Sequence, residues 1–226
     1  PQTNRCRYVH DLSGFWEICF DPENTGEKMS WELGFTGGRP IAVPASWNDQ
    51  FADQRDYLGA AWYQKHFELP DTKENHNLIL RFGSVNYLAD VWVNGVSLGR
   101  HERGHLPIDI EVTSLLHKEH NLLVVRVDGS LAPDHVPPGN VPMNPLDRFA
   151  ELNYPDGSFD FFPYCGIHRP VLLYSMDARG ISDLTVETSI HNSLCLINIH
   201  VQRRDGMLAR ARFTVKGTNE KISTEL

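Results

Sequence analysis

The sequence predicts an all-β fold of short antiparallel strands, arranged as a sandwich or jelly roll. Three observations lead to this prediction. Apolar and polar residues alternate with a period of two over most of the chain, as in half-buried strands. Asn94-Gly95 separates two short β-prone runs, and this pair accepts the positive φ angles of a tight hairpin turn. We find no convincing amphipathic helix, and only Thr113–Lys118 is suited to a turn or two.

The strands of the first part of the chain follow from these patterns in order. In Trp62–Leu69, Tyr63, Phe67 and Leu69 share one face and the polar residues between them share the other. Asn121–Asp128 is a nearly continuous apolar run, which is typical of a strand buried between two sheets. About eight such strands, separated by Gly, Pro and Asp clusters, are typical of a sandwich. Further strands are predicted at Leu78–Phe82, Ala89–Val93, Val96–Leu98 and Ile167–Tyr174.

A proline-rich segment interrupts the strand pattern at Leu131–Phe159. Six of the 14 prolines lie in it, so it cannot form the interior of a strand or helix. Long irregular connections inside a compact domain are usually functional or disordered. This one is flanked by strands and leads into Phe159–Tyr164, which holds four aromatic residues. We therefore predict an ordered loop.

A second set of strands begins after Asp177–Gly180. Alternating patterns predict one strand at Ile181–Ile190, with Leu184, Val186 and Ile190 on one face, and two more at 195–201 and 209–216. Three strands are too few for an immunoglobulin-like sandwich, which needs about seven. The apolar face must pack against something, since a sheet with one apolar face is not stable alone. The predicted domains are residues 1–178 and the first strands of an incomplete sandwich at 179–226.

Composition excludes several classes of partner. The 226 residues carry 21 Lys+Arg against 29 Asp+Glu, a formal charge of -8, which argues against nucleic acid or an anionic membrane as the main partner. No run approaches the ~18 apolar residues of a membrane helix, and the N-terminus has no signal-peptide core. The four cysteines show no metal-ligand spacing. We expect no metal or cofactor, and both a cytoplasmic and a secreted location stay open.

The segment His101–His105 matches the zinc-protease pattern H-E-x-x-H letter for letter. That chemistry needs a helix, which places both histidines on one face. Here Gly99, Gly104 and Pro107 surround or interrupt the segment, which follows a hairpin. We therefore predict a non-helical segment whose histidines do not converge on a metal.

Aromatic residues and one carboxylate are the candidates for a binding surface. Trp47, Trp62 and Trp92 are of the residue type that covers sugar rings, although tryptophans in such sandwiches are more often core residues. Asp160 stands between Phe159 and Phe161. A carboxylate there is costly to bury without a partner, so we expect it to meet a backbone amide, an arginine or ligand hydroxyls.

Several motifs, taken together and in order, resemble the N-terminal part of the family 2 glycoside hydrolases, and within that family the β-glucuronidases. The resemblance runs from about Asp11 to Leu184 and continues more weakly to the end. VWVNG at 91–95 is shared across the family, whereas PASWND at 44–49 and DFFPYCGIHRPV at 160–171 resemble the glucuronidase branch. Further matching motifs are VPA at 43–45, WY at 62–63, LRFGSVNY at 80–87 and GHLP at 104–107.

The resemblance implies an architecture larger than this chain. It implies a jelly-roll, galactose-binding-like sugar-binding domain, an immunoglobulin-like sandwich and a (β/α)8 catalytic barrel of ~250 residues, which is absent from this chain. The two catalytic glutamates of this retaining family lie on the barrel, so no residue here is expected to be catalytic. The one substrate-binding residue implied is Asp160, which would hydrogen-bond the sugar's hydroxyls. The family's usual Asn-Tyr-Ala after this motif is replaced by Pro163-Tyr164-Cys165, so the hydrogen bonding of this loop must differ.

The expected function is therefore that of the N-terminal part of a retaining β-glucuronidase, inactive without its barrel. Its expected partners are a glucuronide substrate, the rest of its own chain and further copies of itself, since family members commonly form homotetramers. Glucuronate recognition is expected to belong to the barrel. Two alternatives stay open: a non-catalytic carbohydrate-binding jelly roll, and another family 2 enzyme such as a β-galactosidase or β-mannosidase.

Overall fold

A computed structural model describes residues 1–4, 7–69, 76–131, 135, 164–192, 194–206, 210–214 and 221–225. The chain divides into two compact units, Pro1–Ser175 and Met176–Leu226. The predicted all-β class is confirmed, because every extended segment pairs antiparallel with a neighbour and the only α-helix described is the single turn α1 (Trp47–Gln50). Within the described residues, no helix is long and apolar enough to cross a membrane.

The elements up to residue 177 are strands joined by short turns. Short 3-10 turns lie at Trp31–Leu33, Ala52–Gln54 and Thr113–Leu115, the last within the segment predicted to form a turn. The strands are β1 (Val9–Asp11), β2 (Gly14–Asp21), β3 (Arg39–Val43), β4 (Ala45–Ser46), β5 (Ala60–Phe67), β6 (His76–Phe82), β7 (Val85–Asn86), β8 (Leu88–Val93), β9 (Val96–Glu102), β10 (Ile108–Glu111), β11 (Asn121–Asp128), β12 (Gly166–Ile167) and β13 (Val171–Asp177).

Two large sheets enclose one hydrophobic core. The six-stranded sheet has the order β3-β2-β5-β11-β8-β9, and the four-stranded sheet has the order β1-β13-β6-β10. Alternate residues of both sheets meet in the core, such as Tyr63 and Val125 from the first and Phe82 and Leu173 from the second. A small third sheet, β4-β12-β7, lies beside them. This is the predicted jelly-roll sandwich.

The outer face of the six-stranded sheet is covered by the connection between β2 and β3, residues 22–38. Trp31 and Phe35 of this connection pack with Trp62 and Val124 in a second apolar cluster. The prediction that β11 is buried on both faces is therefore confirmed, but a loop and not a second sheet covers its outer face. The same loop explains why Gln64, predicted on the polar face of its strand, is only 5% exposed.

Two local predictions can be compared with the structure directly. The hairpin at Asn94-Gly95 is confirmed, since both residues have positive φ, 51° and 78°, between β8 and β9. The single strand predicted at Ile167–Tyr174 is wrong. It is split into β12 and β13, which belong to different sheets, and Pro170 between them has no backbone N–H to donate to a ladder.

The second unit is described as two antiparallel hairpins. They consist of β14 (Ile181–His191) with β15 (Leu194–Arg203), and β16 (Arg210–Thr214) with β17 (Lys221–Glu225). The sequence pattern missed β17, where Ile222 is the only apolar residue. In β14, Leu184, Val186 and Ile190 are more than half exposed. The assignment of 1–178 and 179–226 to two domains stays a prediction.

Candidate functional site at the base of the Asp160 segment

The predicted substrate-binding residue, Asp160, lies outside the described residues. It belongs to residues 132–163, which we call the Asp160 segment and of which only His135 is described. The structure does describe both ends of this segment, Gly129–Leu131 and Tyr164–Ile167. The candidate site is therefore built from these ends and the residues that hold them.

The two ends of the Asp160 segment lie side by side. Gly129, just after β11, donates its N–H to the Gly59 carbonyl at 3.1 Å. The Cys165 Sγ lies 3.7 Å from the carbonyl oxygen of the same Gly129. A Cβ on Gly129 would come within 2.2 Å of that sulfur, so only glycine fits there. Chain exit and chain return are therefore in van der Waals contact.

The returning end is held as a strand. β12 pairs with β4 on one side and β7 on the other, with Gly166 opposite both Ser46 and Asn86. Gly166 has φ 123°, and a Cβ there would lie 2.8 Å from the Tyr63 hydroxyl. A glycine is needed at this position for both reasons. The Asn86 amide also donates a short hydrogen bond to the Tyr164 carbonyl.

The motif at 44–49 folds into a strand, a cap and one helical turn. Ser46 has extended backbone angles, and its Oγ accepts the N–H of Asn48 at 3.1 Å, which is the N-cap arrangement. Trp47 follows with its side chain 0% exposed and its indole Nε1 donating to the Tyr57 carbonyl at 2.9 Å. Its N–H donates to the Cys165 carbonyl at 3.2 Å. The hypothesis that Trp47 covers a sugar ring is therefore wrong, since its ring is fully buried.

Asn48 connects the returning end to the rest of the domain. Its Oδ1 accepts the Cys165 N–H at 2.9 Å and the Ser46 hydroxyl at 3.0 Å. Its Nδ2 donates to the carbonyls of Arg55 at 2.8 Å and Tyr57 at 3.0 Å. The residue is 3% exposed. One buried carboxamide therefore satisfies donors and acceptors from three stretches of chain.

The leaving end is held by an aromatic contact. The His135 ring stacks on Tyr87 with centroids 4.1 Å apart, and its Nδ1 lies 2.7 Å from the Ser130 carbonyl oxygen. Tyr87 also lines a cleft of about 350 Å³. The other lining residues are Glu102, Arg103, Gly104, His105 and Leu106.

Three buried titratable groups around the base are neutral near pH 7, namely the Tyr63 phenol, the Cys165 thiol and the His168 imidazole. Burial raises the pKa of the Tyr63 phenol and of the Cys165 thiol well above their usual values. Burial also lowers the pKa of His168, an effect that the nearby His105 reinforces and that a hydrogen bond to the Cys165 backbone only partly opposes. The Asn86 Oδ1 and the His168 Nε2 are buried without a hydrogen-bond partner. Such a site can orient a chain and accept hydrogen bonds, but these groups supply no acid or nucleophile.

The other sequence candidates lie elsewhere. Trp62 and Trp92 stack on each other under the 22–38 connection with centroids 5.2 Å apart, so the core interpretation holds for them. His101 lies in β9, and His105 lies in the turn after that strand, where Gly104 has φ 52°. The predicted non-helical geometry of this segment is confirmed. Among the described residues no group of three His, Cys, Asp or Glu side chains is arranged to hold a metal ion.

Sequence reasoning did not single out Asn48 or Gly129. The 44–49 motif was identified as a whole, but nothing in its sequence distinguished Asn48 from its neighbours. A signal existed for Gly129, which comes directly after an apolar strand and before the proline-rich segment. A glycine at such a position indicates that two segments of the backbone approach each other closely.

Comparison with known proteins identifies the family. Residues 9–177 match the sequence family described as glycosyl hydrolases family 2, sugar binding domain. The β-glucuronidase of Paenibacillus borealis is 32% identical over 212 residues, covering 89% of this chain and 35% of the relative. That of Rattus norvegicus is 34% identical over 230 residues, covering 91% of this chain and 35% of the relative.

Solved structures give the same result. The crystal structure of Ruminococcus gnavus β-glucuronidase matches with a TM-score of 0.84 at 29% identity, covering all of this chain and 38% of that one. An uncultured Clostridium sp. β-glucuronidase matches with a TM-score of 0.80 at 29% identity, covering 40% of its chain. The chain thus spans about a third of the length of the curated relatives it matches. It belongs to glycosyl hydrolase family 2, within which it is similar to the N-terminal portion of the β-glucuronidases.

Proposed function

We propose that this chain is the N-terminal portion of a retaining β-glucuronidase. The observation that carries the proposal is its similarity to β-glucuronidases over nearly its whole length, while it spans only about a third of theirs. In the complete protein, two glutamates on a later barrel domain would act as acid/base and nucleophile. Their carboxyl groups would lie ~5–5.5 Å apart and form a glycosyl-enzyme intermediate. Residues 1–226 alone would be inactive.

The role proposed for this chain is to present Asp160 to the sugar. An aspartate on a segment whose two ends are held together is suited to reach into a neighbouring domain's active site. Its carboxylate would accept hydrogen bonds from sugar hydroxyls, which are charge-assisted and therefore strong. The buried frame around Asn48 supports this role, because it holds chain exit and chain return together through the Asn48 amide and the contact between Cys165 and Gly129.

The partners proposed are a glucuronide, the remainder of the same polypeptide and further copies of the protein. With a formal charge of -8, the chain does not attract an anionic glucuronide at long range. Recognition of the carboxylate would require local Lys or Arg pairing, which we assign to the barrel.

Activity measurements on the complete polypeptide that contains this chain test the proposal. We expect turnover of an aryl β-D-glucuronide and little turnover of the matching galactoside or mannoside. Preferred turnover of either of the latter would identify another family 2 activity. Carbohydrate binding without turnover of any of the three would identify a binding module and refute the proposal.

Substitution of Asp160 tests the residue assignment separately. Asp160→Ala in the complete enzyme is expected to lower kcat/KM for the glucuronide by at least ~10²-fold, the range seen when a charge-assisted contact to the transition state is removed. The melting temperature should stay close to that of the wild type. Unchanged kinetics would show that Asp160 has only a structural role.

A further inference from the structure

We propose that Asn48 is a positioning residue that sets where the Asp160 segment leaves and rejoins the domain, and so determines how well Asp160 meets the substrate. This inference rests on the proposed function. Asn48 itself would not touch the sugar, since it is 3% exposed and its carboxamide is already bonded to protein groups. It would act through Asp160.

Asn48 fixes the returning end of the Asp160 segment. The Cys165 N–H donates to the Asn48 Oδ1 at 2.9 Å, and the Asn48 Nδ2 is in turn held by the carbonyls of Arg55 and Tyr57. These carbonyls lie in the turn between α1 and β5. The Cys165 backbone is thus attached through one side chain to a turn that contacts the core through Tyr57.

Fixing the returning end of the Asp160 segment also fixes its leaving end. Gly129 and Cys165 are in contact, and the glycine leaves no space for movement toward the sulfur. Gly129 is further bonded to Gly59 at 3.1 Å. A connection whose two ends are joined has far fewer arrangements available than one whose ends move independently.

Only a carboxamide meets the hydrogen-bonding requirements at position 48. The site needs one acceptor for the Cys165 N–H and donors for the carbonyls of Arg55 and Tyr57. Aspartate would offer acceptors only, and serine would not reach both sides. Without Asn48, the Cys165 N–H would lose its acceptor, and the Cys165 backbone would be linked to the 55–57 turn only indirectly through Trp47, whose N–H donates to the Cys165 carbonyl and whose Nε1 donates to the Tyr57 carbonyl.

Asn48 would affect catalysis through the alignment of Asp160 with the substrate. A misplacement of ~1 Å caused by a change away from the reacting atoms can lower the rate by ~10²-fold. Asn48→Ala should therefore lower kcat/KM for an aryl β-D-glucuronide by ~10- to 100-fold in the complete enzyme. The loss should depend on the presence of Asp160, because Asn48 acts only through it.

A double-mutant cycle in the complete enzyme tests this dependence. We expect Asn48→Ala and Asp160→Ala each to lower kcat/KM, and the double variant to be no worse than Asp160→Ala alone. Multiplied losses in the double variant would overturn the inference while leaving the role of Asp160 intact. If Asp160→Ala alone leaves kcat/KM unchanged, the proposed role of Asp160 and this inference both fail.

A matched control separates positioning from general loss of stability. Asn121 is also a fully buried carboxamide bonded to backbone, accepting the His117 N–H at 2.8 Å and donating to its carbonyl at 2.7 Å. It begins β11, ~26 Å along the chain from Gly129 at a rise of ~3.3 Å per residue. Asn121→Ala should lower the melting temperature about as much as Asn48→Ala but leave kcat/KM within ~2-fold of the wild type. An equal loss of kcat/KM in both variants would overturn the inference.

A milder variant keeps the test possible if Asn48→Ala does not fold. Ser46→Ala removes the hydroxyl that donates to the Asn48 Oδ1 at 3.0 Å and caps its helical turn. In the same cycle with Asp160→Ala, we expect a smaller loss of kcat/KM that again disappears when Asp160 is absent. A Ser46→Ala loss that persists without Asp160 would count against the inference.

Discussion

The 22–38 connection and the Asp160 segment are each attached to the sandwich by buried polar side chains, among which Asp21 holds the first as a carboxylate and Asn48 holds the second as an amide. Asp21 accepts four hydrogen bonds, from the Thr25 N–H and hydroxyl, the Gly26 N–H and the Trp62 Nε1. Asn48 both donates and accepts. Donors alone converge on the first site, so a carboxylate fits it; donors and acceptors meet at the second, so only an amide does.

This difference gives the two attachments different responses to pH. Burial alone would raise the pKa of Asp21, but the hydrogen bonds from Gly26, Thr25 and Trp62 together lower it below its usual value. A carboxyl whose folded pKa is lowered contributes stability above its unfolded pKa and loses it as the pH falls through the folded value. The amide of Asn48 does not titrate, so the base of the Asp160 segment has no such dependence at this residue.

Exchanging amide for carboxylate at the second site should have the largest effect. Asn48→Asp would place a carboxylate against the carbonyls of Arg55 and Tyr57, and we expect a loss of about 3–5 kcal/mol in the free energy of unfolding at pH 7, as for an uncompensated buried charge. Here the folded pKa would be raised, so the variant should regain stability as the pH falls. Urea denaturation at pH 5 and pH 8 measures this. Equal losses at both values would contradict the prediction.

The reciprocal exchange should cost less. Asp21→Asn keeps the size of the side chain, but its NH₂ group must face an N–H donor of Gly26, Thr25 or Trp62. We expect a loss of about 2–3 kcal/mol in the free energy of unfolding at pH 7. Amide hydrogen exchange should show faster exchange at Thr25 and Gly26 while Cys165 stays protected. Faster exchange at Cys165 as well would mean that the two attachments are coupled.

The packing at the two attachments can be compared through glycines. Gly129→Ala forces a Cβ toward the Cys165 sulfur and should cost about 1–2 kcal/mol by overpacking. Removing the sulfur in Gly129→Ala/Cys165→Ala should recover part of that loss, measured as melting temperature. Losses that add in the double variant would show that the contact is not the cause. Gly26→Ala, whose Cβ would lie 2.4 Å from the Trp62 Nε1, is the matched change at the other site.

The smallest effect should be seen in the wild type on acidification. As the pH falls below about 4, the usual range of an aspartate pKa, protonation of Asp21 should weaken its bonds to Thr25 and Gly26. Their amides should then lose protection from hydrogen exchange, relative to intrinsic rates, before Cys165 does. Loss of protection at all three amides at one pH would indicate general acid unfolding instead.

Much of the sandwich could be predicted because its signals are local. The period of two located β5, nearly continuous apolar runs located β6 and β11, and Asn94-Gly95 located the hairpin, since all of these signals depend only on neighbours in sequence. The covering of the sheet by residues 22–38 could not be predicted, because no periodicity links Trp31 to Trp62. The buried Gln64 was the available clue: its amide bonds both the N–H and the carbonyl of Phe35 at 2.9 Å, which replaces a missing neighbouring strand.

The site was less predictable than the fold for a physical reason. The role of Asp160 depends on a ligand and on chain segments far from it in sequence, and only the resemblance of its motif pointed to it. Asn48 depends on four bonds to residues between 46 and 165, so its role becomes visible only when those residues are brought together.

The reliance on neutral amides has a chemical consequence at the β8–β9 hairpin. An Asn–Gly pair is prone to deamidation, in which the glycine nitrogen attacks the side-chain carbonyl and expels ammonia, and hydrolysis of the resulting cyclic imide by water leaves an acid in place of the amide. The Asn94 carboxamide is held by the Leu122 N–H at 2.8 Å, the Leu115 carbonyl at 2.8 Å and Asn121 at 3.0 Å, which keeps it from the attacking geometry. The rate of deamidation at this turn is therefore limited by how often the fold opens there. The accumulation of aspartate at position 94 over time would measure that opening.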